Sequence, residues 1–280
     1  MKKVFAILLA ALMILSLTAC GGSGGEEKDR LAQIKEQGYI TLTTEPYFAP
    51  FEFVDPGKTG DEQFQGMDIE IAKYIADKIG VELKIVALDF TSVQVGVAEG
   101  KYDFAISAMA YAPDRAEAMN LSDVYYSDGD GYGFLVRSED VDKYTSLESL
   151  AGVTVITQSG SVQESMYNDQ VNGKVAVKEF KLVSSMSDAY LAVSGEKADV
   201  CICDAASAQL YADANGGLAV PSFRLTIDPN MDGTVVAMPL EGTDSLKEVV
   251  NECIAELKAS GQIEKWYDEY AAYAATLGIE

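Results

Sequence analysis

The segment GKYDFAI (Gly100–Ile106) has a counterpart later in the chain, EKADVCI (Glu196–Ile202). Each copy places Lys-x-Asp before a short apolar run, and such a run is typical of a buried strand. Each copy also follows a stretch with helical periodicity. The repetition predicts two α/β lobes that are built in a similar way.

Helical and strand patterns alternate on both sides of these segments. Apolar residues in 69–79 recur with helical spacing up to Gly80, and 81–87 then alternates with the period of a strand. Further strands are predicted at 39–43, 103–106, 153–156, 175–180 and 200–203, with helices from Ser161 and Asp188. Strands separated by helices predict parallel sheets covered on both faces.

The composition excludes several classes of function. The 280 residues include 44 Asp and Glu but only 21 Lys and Arg, and there is no His. Without His, imidazole acid–base catalysis and His-ligated zinc are excluded. A formal charge of −23 argues against a nucleic-acid partner and against docking on an anionic membrane through a basic patch.

The N-terminus has the pattern of an export signal. Lys2 and Lys3 precede an apolar run, 4–15, which is too short to span a membrane comfortably. LTAC (Leu17–Cys20) resembles a bacterial lipobox, although an ordinary secretory signal with a chance Cys is the alternative. We predict a signal peptide at 1–19, an acylated Cys20 followed by a flexible tether to residue 28, and anchorage at the cell surface or in the periplasm.

The remaining cysteines do not predict a site. Cys201, Cys203 and Cys253 are odd in number, so they cannot form a complete set of disulfides. We interpret them as small buried hydrophobic residues, since a metal pair would lack nearby partner ligands. The sequence indicates no metal and no cofactor.

Polar residues follow several predicted strands directly. In open parallel sheets, ligands bind beyond the carboxyl ends of the strands. The residues at these ends are Ser107, Asp204, the pair Gly160-Ser161 and the stretch 45–52. If the two lobes face each other, these residues converge on one cleft.

These strand ends belong to a longer series of short motifs in a fixed order. The motifs are TEPYFAPFEF (44–53), GMDIEIA (66–72), GKYD (100–103), PDR (113–115), LSDVYY (121–126), ADV (198–200) with Asp204, and GQI (261–263) with Trp266. With this order and spacing, residues 29–270 resemble the bacterial extracellular solute-binding proteins of polar amino-acid ABC importers, family 3.

The resemblance implies a type II periplasmic-binding fold, in which two Rossmann-like lobes with parallel sheets are joined by a two-segment hinge. We expect 29–127 with 225–280 to form the first lobe and 128–224 to form the second. The segments 128–131 and 221–233 are the expected places where the chain crosses between lobes.

The resemblance assigns the ligand's α-carboxylate to Arg115, to the Ser161 hydroxyl and to the Val162 N–H. A guanidinium can hold a carboxylate through two parallel bonds. The alternatives are a surface Arg115 paired with an adjacent acid and a Ser161 that only caps a helix. Ala110 departs from the family, which usually has a hydroxyl residue there, so only its backbone N–H is available.

The same resemblance assigns the α-ammonium to Asp204, Ser107 and the Ala108 carbonyl. Asp204 could instead cap the helix that follows it. Phe48 and Phe90 would sandwich the ligand side chain, unless they are ordinary core residues. Glu45 would meet a polar or cationic ligand side chain, unless it is simply solvated. The acids favour a polar or basic amino acid.

The predicted function is the capture of an amino acid by hinge closure and its delivery to an ABC permease. The chain has no Walker motif, so it is not the ATPase. We expect a monomer that contacts the membrane only through its N-terminal lipid. Two alternatives stay open: a dehydratase-like enzyme with Glu45 or Asp204 as general acid, and a sensory or adhesive lipoprotein.

Overall fold

The computed structural model describes residues 29–228 and 233–279. The predicted signal peptide, Cys20 and the predicted tether lie outside the described residues. Within these ranges, no helix is both long and apolar enough to cross a membrane.

The elements alternate as the sequence predicts. The strands are β1 (Tyr39–Thr44), β2 (Tyr47–Phe48), β3 (Glu52–Val54), β4 (Phe64–Gln65), β5 (Glu82–Ala87), β6 (Phe104–Ala105), β7 (Met119–Leu121), β8 (Tyr132–Arg137), β9 (Thr154–Gln158), β10 (Glu179–Val183), β11 (Val200–Asp204), β12 (Leu218–Ala219) and β13 (Ala237–Pro239). The α-helices are α1 (Arg30–Gln37), α2 (Met67–Ile79), α3 (Phe90–Ala98), α4 (Pro113–Ala118), α5 (Val162–Gln170), α6 (Met186–Ser194), α7 (Ala205–Asn215), α8 (Asp244–Ser260) and α9 (Gln262–Leu277).

Two five-stranded sheets organise the described residues. The first has the order β5-β1-β6-β13-β7 and the second the order β10-β9-β11-β8-β12. We call the parts packed around them the first lobe and the second lobe. A small antiparallel sheet, β2-β3-β4, is attached to the first lobe.

The predicted α/β fold class is confirmed, but the sheets are mixed rather than wholly parallel. Three strands of each sheet run parallel: β5, β1 and β6 in the first, and β10, β9 and β11 in the second. In contrast, β13 is antiparallel to β6, and β8 is antiparallel to β11. The reason is topological, since β8 and β13 are the first strands formed after the chain passes from one sheet to the other.

Helices cover both faces of each sheet, as expected for buried parallel strands. In the first lobe, Leu42 faces one core and Ala105 faces the other. In the second lobe, Ile156 and Val155 point to opposite cores in the same way. Each sheet is therefore the middle layer of a three-layer lobe, and its strand ends are left open at the edges.

The repeated Asp has the same structural role in both lobes. Asp103 accepts hydrogen bonds from the Thr41 N–H at 2.6 Å and from the Arg30 Nε at 2.6 Å. Asp199 accepts the corresponding bond from the Thr154 N–H at 2.8 Å and pairs with an Arg Nη2 at 3.1 Å. Each Asp joins the start of its strand to the neighbouring parallel strand, so the repeat reflects how each sheet is held together.

That second arginine is Arg137, which also donates to the Ala198 carbonyl at 2.9 Å. Arg30 donates to the Gly100 carbonyl at 3.1 Å in the first lobe. Both arginines thus bind the Asp and the turn before it. The predicted similarity of the two lobes extends to these side-chain contacts.

The second lobe extends beyond the predicted boundary at 224/225, although still within the predicted crossing at 221–233. Leu225 is buried in the core of the second lobe, and its N–H donates to the Tyr132 carbonyl at 2.8 Å. Ile227 packs against the same core. The boundary at 224/225 therefore has to move beyond Ile227, because apolar side chains keep this segment on the second lobe.

The three cysteines are buried and free, which agrees with their interpretation as small hydrophobic residues. Cys201 and Cys203 lie in the second lobe and Cys253 in the first.

Gly66 offers a test of how the first lobe is packed. Its φ is 128°, and a Cβ there would lie 2.1 Å from the Phe51 carbonyl oxygen. Gly80 also has positive φ, 83°, but a Cβ there meets nothing within 4 Å. We expect Gly80→Ala to lower the free energy of unfolding by about 1 kcal/mol and Gly66→Ala by at least about 2 kcal/mol more. Chemical denaturation measures both, and equal losses would contradict the predicted clash.

Candidate functional site

All ten residues predicted to bind ligand line one pocket between the lobes. The space between its lining atoms is about 750 Å³, open solvent at the mouth included. The first lobe contributes Glu45, Phe48, Phe90, Ser107, Ala108, Ala110 and Arg115, and the second contributes Ser161, Val162 and Asp204. We call this the interlobe pocket.

Arg115 is the cation of the pocket. It lies in the short helix α4 and is only 6% exposed. Its Nη1 donates to the Ala110 carbonyl at 2.6 Å, its Nη2 to the Gly160 carbonyl at 2.9 Å and its Nε to the Gln94 Oε1 at 3.1 Å. Every one of these acceptors is a neutral oxygen.

The expected alternative, a surface arginine paired with a neighbouring acid, is wrong. Among the described residues no carboxylate lies within ion-pair distance of Arg115. Burial lowers the pKa of its guanidinium to about 10, which leaves it charged at neutral pH. A buried cation without an anion is costly, so the site is suited to an anionic ligand group.

Phe90 supports this guanidinium, whose Cζ lies 5.5 Å from the ring centroid. Gly160 supplies the cross-lobe acceptor in a left-handed conformation, with φ of 74°. Its carbonyl also accepts from Gln94 Nε2 at 3.1 Å. Two side chains of the first lobe therefore bind one carbonyl of the second.

Ser161 caps helix α5, so the capping alternative is the arrangement observed. Its hydroxyl accepts from the Glu164 N–H at 3.2 Å and donates to the Gln158 carbonyl at 2.7 Å. Glu164 completes the cap by accepting from the Gly160 N–H at 2.7 Å. The hydroxyl proton of Ser161 is thus already used, and a bond to a carboxylate would require it to rotate.

The first turn of α5 faces the pocket beside Ser161, with Val162 and Gln163 among the lining residues. N–H groups of a first helical turn lack partners within the helix and favour an anion. Ala110 and Val162 form a small apolar contact between the lobes. Together with Arg115, these N–H groups form the part of the pocket that is suited to an anionic group of a ligand. We call this part the anionic pole.

Asp204 is the acid of the second lobe. It ends β11 and also caps α7, accepting from the Ser207 N–H at 2.8 Å. Burial, followed by the charge of Asp128, raises the pKa of its carboxyl to about 7. Both predicted roles are therefore compatible, because the cap uses one oxygen and the residue still lines the pocket.

Glu45 is buried rather than solvated, which excludes that alternative. It follows β1 directly and is 3% exposed, and its Oε1 has no hydrogen-bond partner among the described residues. Burial raises the pKa of its carboxyl to about 8, opposed by a hydrogen bond from Gln158. An orphaned carboxyl oxygen at a pocket wall is an acceptor in need of a donor.

Ser107 and Ala108 lie just beyond β6. The Ser107 hydroxyl accepts from the Glu45 N–H at 3.0 Å and donates to Glu52 Oε1 at 3.1 Å. Ala108 has a positive φ of 43°, and its N–H donates to Asp68 Oδ2 at 2.7 Å.

Aromatic rings form one wall of the pocket. Phe48 stacks on Phe51 with centroids 5.5 Å apart, and Phe51 meets Tyr126 edge-on at 5.6 Å. Tyr126 in turn stacks on Tyr267 at 4.7 Å. Such a wall suits an aliphatic stem or a cation.

Several lining residues were not predicted from the sequence. They include Tyr126, Asp128, Gln158 and Gln163. Gln158 ends β9, so the strand-end rule that found Asp204 would also have found it if the end of β9 had been placed correctly. Tyr126 and Asp128 lie at the first crossing, for which sequence patterns give no orientation.

The comparisons with known proteins agree with this geometry. The model of the bacterial extracellular solute-binding proteins, family 3, matches residues 40–273, and the chain belongs to that family. The arginine-binding extracellular protein ArtP of Bacillus subtilis is 28% identical over 273 residues, covering 95% of this chain and 96% of that protein.

A solved structure and an enzyme are also similar. An amino-acid ABC transporter substrate-binding protein of Streptococcus pneumoniae, bound to L-arginine, has a TM-score of 0.80 and 32% identity, covering 88% of this chain and 98% of that chain. Cyclohexadienyl dehydratase of Pseudomonas aeruginosa is 27% identical over 166 residues, 59% of each chain.

The raised pKa values predict how stability depends on pH. The folded carboxyls of Glu45 and Asp204 keep protons up to about 8 and about 7, whereas the unfolded chain releases them near 4.5 and 3.8. The free energy of unfolding without ligand should therefore fall as pH rises through this window. Glu45→Gln should make the free energy of unfolding less dependent on pH, by the equivalent of up to about one proton. Denaturation at a series of pH values measures this slope.

Glu264 is the matched control, since it is exposed and lies outside the interlobe pocket. Glu264→Gln should leave the pH dependence as it is in the unaltered protein. The same slope in Glu45→Gln and in the unaltered protein would show that Glu45 is not held protonated.

Proposed function

We propose that this protein captures an amino acid in the interlobe pocket and delivers it to an ABC importer. One observation carries the proposal: Arg115, a buried cation with no ion-pair partner among the described residues, lines the same pocket as the acid Asp204. An α-amino acid has a carboxylate for the first and an ammonium for the second. Since the two residues belong to different lobes, such a ligand would bridge them.

The energetics are sufficient for useful affinity. Removal of one partner of a buried, hydrogen-bonded charge pair costs roughly 2–5 kcal/mol of binding free energy. Charged contacts at both ends of the ligand make micromolar binding attainable, which corresponds to about −8 kcal/mol. Glu45 and the aromatic wall would add contacts to the ligand side chain.

Contacts between the lobes support capture by closure. Arg115 and Gln94 both donate to the Gly160 carbonyl across the pocket. At the rim, the Ser187 hydroxyl donates to the Tyr47 carbonyl at 2.7 Å. These bonds exist only when the lobes are together, so a ligand that also joins the lobes would shift the population toward the closed form.

The ligand class that we propose is a polar or basic amino acid. The buried Glu45 oxygen without a donor supports it, because a guanidinium, ammonium or amide would supply one. The names of two similar proteins, one arginine-binding and one bound to L-arginine, point the same way.

The partner that we propose is a membrane permease with a cytoplasmic ATPase. The family is extracellular, and we propose that the chain works there as a monomer held by a lipid on Cys20. Its flexible tether would let the closed form reach the permease.

A dehydratase-like activity is the second candidate. The dehydratase relative and the carboxyls of Glu45 and Asp204, which titrate near neutral pH, favour it. Incubation with small carboxylates separates the two functions, because a binding protein returns its ligand unchanged whereas an enzyme converts it.

Arg115→Met tests the anionic pole. It keeps an apolar stem above Phe90 but removes the guanidinium, so we expect amino-acid affinity to fall by at least about 30-fold. Isothermal titration calorimetry measures it. Arg224→Met is the control, since Arg224 is exposed and does not line the interlobe pocket. Equal affinity in both variants would defeat the proposed clamp.

Glu45→Gln tests the ligand class. It should weaken arginine by roughly tenfold and leave glutamine within about threefold, because only arginine brings a cation to that position. The arginine affinity of the unaltered protein should also increase with pH through about 8, as Glu45 ionises. If Glu45→Gln weakens the affinity for arginine and for glutamine equally, Glu45 does not distinguish a charged ligand side chain from a neutral one.

A further inference from the structure

A series of buried polar groups extends from the interlobe pocket into the first lobe. It begins at Ser107 and continues through Glu52 and Asp68 to Tyr125. These residues are almost completely buried, with Glu52 1% exposed and Asp68 0% exposed. Two buried carboxyl groups thus lie close together, one of them in the pocket wall.

The bonds to Asp68 mark it as the ionised member. Its oxygens accept from the Ala108 N–H at 2.7 Å and from the Tyr125 hydroxyl at 2.9 Å. A carboxylate with two such donors is stabilised in its charged form. The bond to Ala108 also holds that residue at positive φ, where a side chain is unfavourable.

Glu52 has the opposite surroundings. Its Oε1 accepts one bond, from Ser107 at 3.1 Å, and its Oε2 has no donor. The Asp68 carboxyl is its neighbour, and Glu45 is a second acid nearby. A buried carboxylate with one neutral donor is costly, whereas a carboxylic acid there can donate to Asp68.

Electrostatics agree with this hydrogen-bond arrangement. Burial, and then the charge of Asp68, raises the pKa of Glu52 well above its ordinary value. Burial raises the pKa of Asp68 as well, but the bonds from Glu52, Ala108 and Tyr125 oppose that rise. Two adjacent carboxyls cannot both ionise easily, so they share one proton.

We propose that Glu52 is held as a neutral acid that donates to Asp68 and accepts from Ser107, which makes Ser107 a pure acceptor toward the ligand. The Ser107 hydroxyl then donates its proton in a hydrogen bond to Glu52, and one of its oxygen lone pairs accepts from the Glu45 N–H. The remaining lone pair is available to the pocket.

The consequence is selectivity for an α-ammonium group. An acceptor that cannot donate binds an N–H and offers nothing to a carbonyl or keto oxygen. The Ser107 hydroxyl donates away from the pocket, toward Glu52, so the charge of Asp68 polarises Ser107 through Glu52. Glu52 is therefore a positioning residue, and this role rests on the proposed amino-acid binding.

Two substitutions at Glu52 separate the neutral acid from the alternatives. Glu52→Gln keeps an acceptor for Ser107 and a donor for Asp68, so it reproduces the proposed state. Glu52→Leu removes both and frees the Ser107 proton. The probes are L-arginine and its α-keto analogue, measured by calorimetry, with thermal unfolding as the check on folding.

The preference for arginine over the keto analogue should be the same, within about threefold, in Glu52→Gln and in the unaltered protein. It should drop by roughly tenfold in Glu52→Leu. An equal drop in Glu52→Gln would show that a charged Glu52 is required, and an unchanged preference in Glu52→Leu would show that Ser107 needs no orientation. Either result overturns the proposal.

Infrared spectroscopy gives a readout that needs no ligand. At about pH 9, where Glu45 and Asp204 are ionised, the unaltered protein should retain the carbonyl stretch of a protonated carboxylic acid. Glu52→Gln should lack it. If the band is absent from the unaltered protein, the proposal fails; if no amino acid binds but the band is present, only the proposed function fails.

Discussion

The arrangement around Arg115 determines how the two lobes meet. A guanidinium is buried at the seam, and its partners are two backbone carbonyls and an amide oxygen rather than a carboxylate. One of those carbonyls, Gly160, comes from the other lobe. The positive charge therefore has hydrogen-bond acceptors but no opposite charge beside it. Because of this uncompensated charge, an anion should bind favourably in the pocket.

The acidic groups near the pocket come from both lobes. Asp204 belongs to the second lobe, whereas Glu45 and the Glu52–Asp68 pair belong to the first. Their pKa values are raised to different extents, because burial is opposed by different numbers of donors. The acids near the pocket thus do not act as a uniform negative surface, and each one has its own protonation state near neutral pH.

The sequence was sufficient for the fold class and for the convergence of the predicted residues, since strand ends can be located from apolar runs. Ser107 and Asp204 were found in this way, and Arg115 came from the resemblance of its motif. Whether these residues bind ligand stays a prediction. The reversed direction of β8 and β13 was not predicted, because periodicity does not indicate strand direction.

Other misses have local causes. Strand β10 was predicted at 175–180 but spans Glu179–Val183. Val175 and Val177 alternate like strand residues, yet they pack on the core from the segment before the strand. For Ser161, the sequence left a cap and a ligand contact open, and the cap is what the closed arrangement contains. Local patterns do not decide between a backbone partner and a bound molecule.

The matching Arg–Asp contacts near the strand starts have a mechanical consequence. Arg30 with Asp103 and Arg137 with Asp199 brace one lobe each, and neither pair contacts the opposite lobe. Under the proposed capture by closure, these contacts would stay intact while the cleft opens, because each lies within one half. The change in backbone angles would then fall on the two connecting segments.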